Sequence, residues 1–513
     1  MSHNLLEAPI FSVDLGPHGH QSLSLPALLS ELGGDTVRAM HGVQAHQRDA
    51  VHIFLCYLAA SVLEKEGLDD PAQSVGIWRN GLRSLTAGLE DHAWSLVVDD
   101  WTQPAFMQPA VAGKAEEPEY KDRGAAADGI DVLQTAKNHD LKSARITRPE
   151  PEDWVYALIS VQTMSGFMGA GNYGVSRMNS GSGSRPCVGV THSPFPGARW
   201  RDDTLSLVKL LDQLLSPPWP YSADGQRLLW TLPWDGKQSL GLDTVHPFFI
   251  EVARPIRLRA TSGVVTAFSR PTKAPRIAAK ELKGNTGDPW TPINRRTGGA
   301  LTVPESGFTP RLLRDLLLDQ EKYSPAPLQK IEKSDGPCWL HASVLVRGQG
   351  TTGGFHEARV RIAPKAIPLL MGGQGRERLS ELSEWALERS GEVQNRILKP
   401  ALLALLEGGP ARIDYGKREI SGWIDPFLTR YADQWNAEYF GWLWGTIDQS
   451  DVNAKTLWQE RLKYHAEKVL EQAIAATPQR AGRRYRARVK ARQVFHGSWQ
   501  RRVTKPGETN DPA

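Results

Sequence analysis

Between Gly166 and Pro186, six glycines and four serines surround Arg177, Asn179 and Arg185. Glycine lets a backbone approach a ligand with no Cβ in the way, and it takes φ > 0 where a tight loop needs it. Successive N–H groups can then form a concavity for an anion. Gly169, Gly171, Asn172, Gly174 and Arg177 are therefore candidates for a surface that grips phosphate or a nucleic-acid groove. A flexible surface loop is the other reading of a Gly/Ser run. Gly169 to Gly174 also spells G-x-G-x-x-G, but a dinucleotide site needs a strand before it, a helix directly after it and an acid about 20 residues on. The Asn-, Ser- and Gly-rich residues after Gly174 oppose a helix, and the next acids, Asp202 and Asp203, lie too far downstream.

Three further segments carry polar chemistry. Lys280-Glu281-Leu282-Lys283-Gly284-Asn285 is a basic turn. Arg347 to Phe355 is a Gly-rich hairpin tip presenting Gln349, Gly350, Thr351 and Thr352, which either inserts into a groove or merely turns. Lys137 to Lys142 offers Asn138, His139 and Lys142 as contacts for an RNA backbone or a protein, with a solvated loop as the alternative. None of these supplies a pair of groups spaced for acid–base catalysis. His18 and His20 could share a metal, but no third ligand is in view, and no metal or cofactor is expected. Cys56, Cys187 and Cys338 form no C-x-x-C, which opposes a structural zinc site or a disulfide framework. Sparse cysteine fits a reducing cytoplasm.

The elements that must position these residues are legible in outline. A chain of 513 residues exceeds one core and implies two or three domains. Net charge is only +4, yet Arg480 to Lys505 holds ten Lys/Arg and no acid. Arg483, Arg484, Arg486, Arg488, Lys490 and Arg492 form the candidate docking face of that run, which otherwise reads as a solvated helix face. The longest apolar run, Val51 to Leu63, is too short to span a bilayer and reads as a buried helix inside Gln44–Glu66. Helices are also expected at Leu82–Val97 and Leu205–Leu215, and strands at Phe248–Leu258, Val264–Phe268, Leu340–Arg347 and His356–Ile362. From Arg376, segments 376–407, 417–447, 451–476 and 482–502 are punctuated by Gly-Gly-Pro, Asp-Gln-Ser and Thr-Pro stops. Short connections between long helices indicate an antiparallel bundle. Trp423, Trp435, Trp442 and Trp444 read as its core, and Tyr485, Val489 and Phe495 as the apolar seam of the basic helix. The expectation is an α+β chain: a mixed α/β domain over 1–370, a four-helix bundle over 371–505 and a disordered tail over 506–513.

The order of these features resembles the CasA family, the large subunit of the type I-E CRISPR Cascade complex. Asn4-Leu5-Leu6, Ile10, Val13 and the Leu-Pro-x-Leu-Leu helix resemble that family's opening, and Ala105-Phe106-Met107-Gln108 resembles its Pro-Phe-Met-Gln signature with Ala replacing Pro. The glycine loop, the lysine turn, the Gly-rich hairpin and the C-terminal helices then follow in the family's order. The resemblance implies a non-catalytic subunit that recognises the protospacer-adjacent motif (PAM) in double-stranded DNA. It implies a glycine loop at Gly169, Gly171, Asn172 and Gly174, a lysine at Lys280 or Lys283, and a duplex-opening wedge at Gln349 to Thr352. Asn138, His139 and Lys142 would lie near the CRISPR RNA handle. The implied partners are the CRISPR RNA, target DNA, the backbone, handle-binding and small subunits, and a recruited helicase-nuclease, with no membrane. This chain departs in its longer, more polar glycine loop, in having one Gln where an Asn-Gln pair is expected at the wedge, and in lacking paired cysteines. A nucleotide-dependent enzyme and a purely structural scaffold are the competing readings.

Overall fold

A computed structural model of the protein describes residues 3–132, 146–167, 169–179, 185–331, 336–348, 351–409, 418–477 and 481–504, the side chains of 347–348, 351–353 and 418–421 excepted. The chain is α+β and forms two compact units. The first comprises Met1–Thr309, Gln320–Ile331 and Gly336–Val360; the second is built on Pro310–Asp319 and on the chain from Arg361. The division falls ten residues before the expected position 370, and the helix Pro310–Leu318 belongs with the second unit.

The first unit is organised around the helix Arg48–Glu66. Its residues from Ala50 to Leu63 are buried with one exception, His52, which is half-buried, so the helix is central rather than amphipathic. Gly67 stops it in the left-handed region at φ 67°, donating back to Glu64 and Leu63 carbonyls. The helices Val75–Leu85, Pro151–Met164 and Pro196–Leu214 and the strand Val245–Ile250 pack against it. Ala105 to Gln108 is fully buried in the same core. The Gln108 amide donates to Leu96 O (2.8 Å) and Phe106 O (3.1 Å), and its Oε1 accepts from Leu258 N (2.7 Å). A buried amide with all these partners made locks three segments together.

The sheets are small. The first is β1 (Phe11–Asp14) between β2 (His20–Leu23) and β3 (Ala39–Met40), both antiparallel to it. Phe11 and Val13 point into the core, and Ser12 and Asp14 lie on the opposite, more open face. Cys187–Thr191, Cys338–Gly348 and Thr351–Ile362 form a second sheet in which the two long strands are neighbours, as the hairpin reading requires.

Two local expectations shift. The helix expected at Leu82–Val97 runs from Val75 to Leu85, because Ser74 Oγ accepts from Ile77 N and Gly88 turns the chain at φ 85°. The single strand expected at Phe248–Leu258 is two, Val245–Ile250 and Ile256–Thr261, since Glu251 to Pro255 leaves the ladder to anchor another loop.

Among its described residues the second unit contains four long helical rods. The first, Arg376–Glu392, passes through a π turn at Val393–Leu398 into Lys399–Leu406. Pro400 has no N–H for the residue 396 carbonyl, which explains the widened turn beside it. Arg418–Gly445, Asp451–Ala476 and Ala481–Trp499 follow. Trp435 and Trp442 meet Trp458 at ring distances of 6.3 and 4.7 Å, as core residues should, whereas Trp423 is 55% exposed. The seam of the last rod also differs from expectation. Tyr485 is 79% exposed, and the buried line is Ala487, Ala491 and Phe495, with Ser498 and Trp499 beyond. Alanine at i and i+4 lets backbones approach closely, so a narrow seam needs few large side chains.

Candidate nucleic-acid interface

The glycine loop leaves the helix Pro151–Met164 at Ser165. The nearest element before G-x-G-x-x-G is thus a helix and not a strand, and no residue after it, through Asn179, is in a helix. The strand–turn–helix context of a dinucleotide site is absent from the described loop. The loop is also anchored from beneath. Glu251 is buried and accepts from Ser176 N (2.9 Å) and Ser176 Oγ (2.7 Å). Burial pushes its carboxyl up, with the Ser176 hydrogen bonds and the Arg177 charge opposing. Arg254 donates to Gly166 O (3.2 Å) and to Tyr173 O. Thr272 N donates to Gly171 O (3.0 Å), and Tyr173 Oη to Lys273 O (3.2 Å). The described loop is therefore a built turn and not a tether.

The glycines divide by role. Gly169 has φ 100° and open space where a Cβ would be. A Cβ at Gly171 would meet Pro271 Cβ at 2.7 Å, and one at Gly174 would meet Met178 Sδ at 2.8 Å. Those two serve internal packing, while Gly169 and the half-exposed Asn172 face outward. Arg177 corrects the sequence reading. It is 4% exposed, lies 3.7 Å from the Phe249 ring centre and donates to Pro247 O at 3.2 Å. A guanidinium stacked in the core cannot reach a groove, so Arg177 supports the loop and leaves the candidate contact set. Arg185 is likewise internal, forked onto Asp288 at 2.5 and 2.6 Å. Sequence reading also passed over Phe167, which is 45% exposed beside Gly169 with its ring 6.1 Å from Tyr173.

Lys280 and Lys283 are both exposed, on a short 3-10 turn Lys280–Leu282. Lys283 sits at φ 51° and its carbonyl accepts from Ala300 N at 2.9 Å. The glycine loop packs against this turn at Met178 and Asn179. A Cβ at Gly284 would meet the Met178 carbonyl carbon at 2.5 Å and Asn179 N at 2.8 Å. Asn179 Nδ2 also donates to Ala300 O at 3.4 Å. Two segments a hundred residues apart in sequence are thus one continuous backbone surface. Arg295 and Arg296, exposed on the adjoining turn, border it. That turn is closed by Asn294 Oδ1, which accepts from Arg296 N (3.0 Å) and Thr297 N (3.1 Å). The Asn-Arg-Arg-Thr-Gly-Gly spelling at Asn294–Gly299 was the available signal for these arginines.

Gln349 and Gly350 lie outside the described residues; Thr351 and Thr352 begin the strand Thr351–Ile362. Asn138, His139 and Lys142 also lie outside them. On the basic rod, Arg483, Arg484 and Arg486 are exposed, and Arg488 and Lys490 half-buried. Arg486 donates to Gly409 O (2.9 Å), and Arg492 is forked onto Glu471 at 2.8 and 2.6 Å. Arg492 is thus already partnered. His341 sits in a buried network in which Asp49 accepts from His341 Nε2 (2.8 Å), Arg199 (2.9 Å) and Ser343 Oγ. Burial alone would push the Asp49 carboxyl up; the His341 and Arg199 charges outweigh this and hold it well below the usual carboxylate range. His356 Nε2 is buried without a partner, and among the described residues neither His341 nor His356 belongs to a three-residue cluster of metal-ligand groups.

No family model matches the sequence, and no curated protein matches it. Solved structures do. A crystal structure of CRISPR-associated protein Cse1 from Acidimicrobium ferrooxidans superposes with a TM-score of 0.60 at 13% identity, covering 98% of each chain. Thermobifida fusca Cse1 gives 0.64 at 12% identity over 98% of each chain. The chain has the Cse1 fold. CasA from Thermus thermophilus agrees, with a TM-score of 0.59 at 15% identity, covering 97% of this chain and 99% of the other. The Cse1 fold thus extends over both units, and the architecture implied by the ordered motifs is present at an identity where the sequences themselves no longer match. Among the described residues no helix is long and apolar enough to cross a membrane.

Proposed function

We propose that this chain is the large, non-catalytic subunit of a type I-E CRISPR Cascade complex and that it reads the PAM in double-stranded DNA. The observation that carries this reading is the union of the glycine loop with the lysine turn at Gly284, within a chain that has the Cse1 fold. A backbone surface fringed by lysines matches what a minor groove offers: an almost degenerate hydrogen-bond pattern and flanking phosphates. Gly169 and Asn172 approach the groove, and Lys280 or Lys283 reaches into it. Gln349, Gly350, Thr351 and Thr352 act as the wedge that opens the duplex. Guide RNA pairing then reads the rest of the sequence, the usual division in RNA-guided recognition. Asn138, His139 and Lys142 contact the RNA handle or a neighbouring subunit. The partners are the CRISPR RNA, the backbone, handle-binding and small subunits, target DNA and a helicase-nuclease recruited after opening, all in the cytoplasm. Arg483, Arg484, Arg486, Arg488 and Lys490 supply a basic path for the displaced strand.

The test is selection of targets with a randomised flank by the reconstituted complex, at stated salt, with and without this chain. One short flank should be enriched, and the enrichment should fall with Gln349→Ala or with Lys280→Ala and Lys283→Ala combined. Binding that needs the chain but ignores the flank would make it a scaffold.

A further inference from the structure

The first sheet gathers a set of side chains that sequence spacing could not assemble. β1 is central, and its pairing places Asp14 opposite His20 on β2 and opposite Ala39 on β3. His41 follows β3 and donates its N–H to Ser12 O at 3.0 Å, which continues that register. Side chains alternate faces with period two. Asp14, His20, Ser12 and His41 therefore share the open face, opposite the buried Phe11 and Val13. The side chains converge as the parity requires. His20 Nδ1 and His41 Nε2 stand 2.8 Å apart, with ring centres at 4.5 Å. One ligand atom from each of Asp14, His20 and His41 lies within 4.8 Å of the others.

We propose that Asp14, His20 and His41 form a binding site for a divalent first-row transition metal, with zinc as the expected occupant. Two imidazoles and one carboxylate are the donor set that suits zinc, and three protein ligands leave one position of a tetrahedron open to solvent. Bonds of about 2.0 Å at tetrahedral angles separate two ligand atoms by about 3.3 Å. The two ring nitrogens need to part by only about half an ångström to admit the ion. Asp14 Oδ1 accepts from Gly16 N at 2.8 Å, which orients the carboxylate and leaves its second oxygen for the metal. The surrounding charge favours a cation. The Glu152 carboxylate accepts from Ser12 N at 3.1 Å and lies beside Gly42, next to His41. Arg38, just before β3, gives its guanidinium to Asp35 at 3.1 Å and to the Phe195 ring at 4.6 Å.

A second cluster of ligand-type groups, His52, Cys56 and Asp203, lacks this balance. The Arg199 guanidinium stands 3.8 Å from Asp203, a cation where an incoming ion would have to sit, and burial pushes the Cys56 thiol well up, away from the thiolate a metal requires.

The site makes the N-terminal sheet stronger when loaded, because an ion held by β1, β2 and the residue after β3 binds the folded chain and not the unfolded one. The experiment is calorimetric titration of the untagged full-length chain with zinc ion alone, repeated with cobalt ion and read by visible absorption. One equivalent should bind, and zinc should raise the melting midpoint. His20→Ala combined with His41→Ala should weaken binding by about 100-fold or more, beyond the about 10–100-fold typical of losing an outer-shell partner. Both side chains are exposed, so the double variant should fold, and circular dichroism checks this. His18→Ala, the neighbouring imidazole outside the cluster, should bind as the parent does. An untagged chain that takes up no zinc overturns the proposal. So does binding that survives the double variant, and Cys56→Ala would then locate the ion at the other cluster.

Discussion

Gly284→Ala tests the junction on which the proposed nucleic-acid surface rests. Gly284 has φ 82°, and an added Cβ would lie 2.5 Å from the Met178 carbonyl carbon, 2.8 Å from Asn179 N and 2.8 Å from Ala300 Cβ. The positive φ alone costs a side-chain-bearing residue about 1–2 kcal/mol. Two of the three contacts are backbone and cannot swing aside, so overpacking adds about 1–3 kcal/mol. The sum is centred on about 3.5 kcal/mol, and at about 2 °C per kcal/mol for a large domain the melting midpoint of the first unit falls by about 7 °C. Gly298→Ala is the matched control. Its φ is 68°, but nothing lies within 4 Å of its Cβ position, so it isolates the φ cost. Urea unfolding of both variants separates the contributions, and flank selection by the reconstituted complex reads the function. The packing argument requires Gly284→Ala to be the more destabilising of the two and to blunt selection. Equal losses for the two variants, or selection untouched in a folded Gly284→Ala chain, would refute it.

Further outcomes follow from the same reasoning. Asp288→Ala should cost about 3–5 kcal/mol by urea unfolding, because it leaves the buried Arg185 guanidinium without its fork. Arg177→Ala should lower the melting midpoint, through loss of a desolvated ring contact worth about 2 kcal/mol, while any folded complex keeps its flank preference; Lys280→Ala and Lys283→Ala combined should do the reverse. Asp49 has a folded-state pKa below its unfolded value. Its contribution is present above the ordinary carboxylate range and is lost as pH falls through the depressed value, so Asp49→Asn should flatten the acid limb of a stability–pH curve. Removing the exposed Arg492–Glu471 pair by Arg492→Gln should change stability by less than about 1 kcal/mol, measured by thermal unfolding.

The elements with strong local signals were legible. The apolar run at Val51–Leu63, the proline at the start of Leu25–Gly33 and the stops at Asp448 and Thr477 gave helices where expected, because burial and capping chemistry are written in neighbouring residues. The side of the glycine loop on which a cation falls was not legible. Arg177 and Asn172 are five residues apart, and Phe249, Tyr57, Glu251 and the Pro247 carbonyl, all far away in sequence, turn the first inward. The seam of the last helix was misjudged for a related reason: apolar size was read as burial, and alanine with a close neighbour outranked an exposed tyrosine. The three-sided Asp14–His20–His41 cluster needed strand register, which His18 and His20 alone do not encode.

The contact of Gly284 with Met178 and Asn179 has a consequence for how such chains diverge. Because the lysine turn and the glycine loop share one seam, neither can lengthen, gain a side chain or shift without moving the other. They should therefore change as a pair. A graft of one segment from another chain of this fold into this one should fail where a graft of both succeeds, and changes in the flank preferred should arrive as coordinated substitutions on either side of that seam rather than one position at a time.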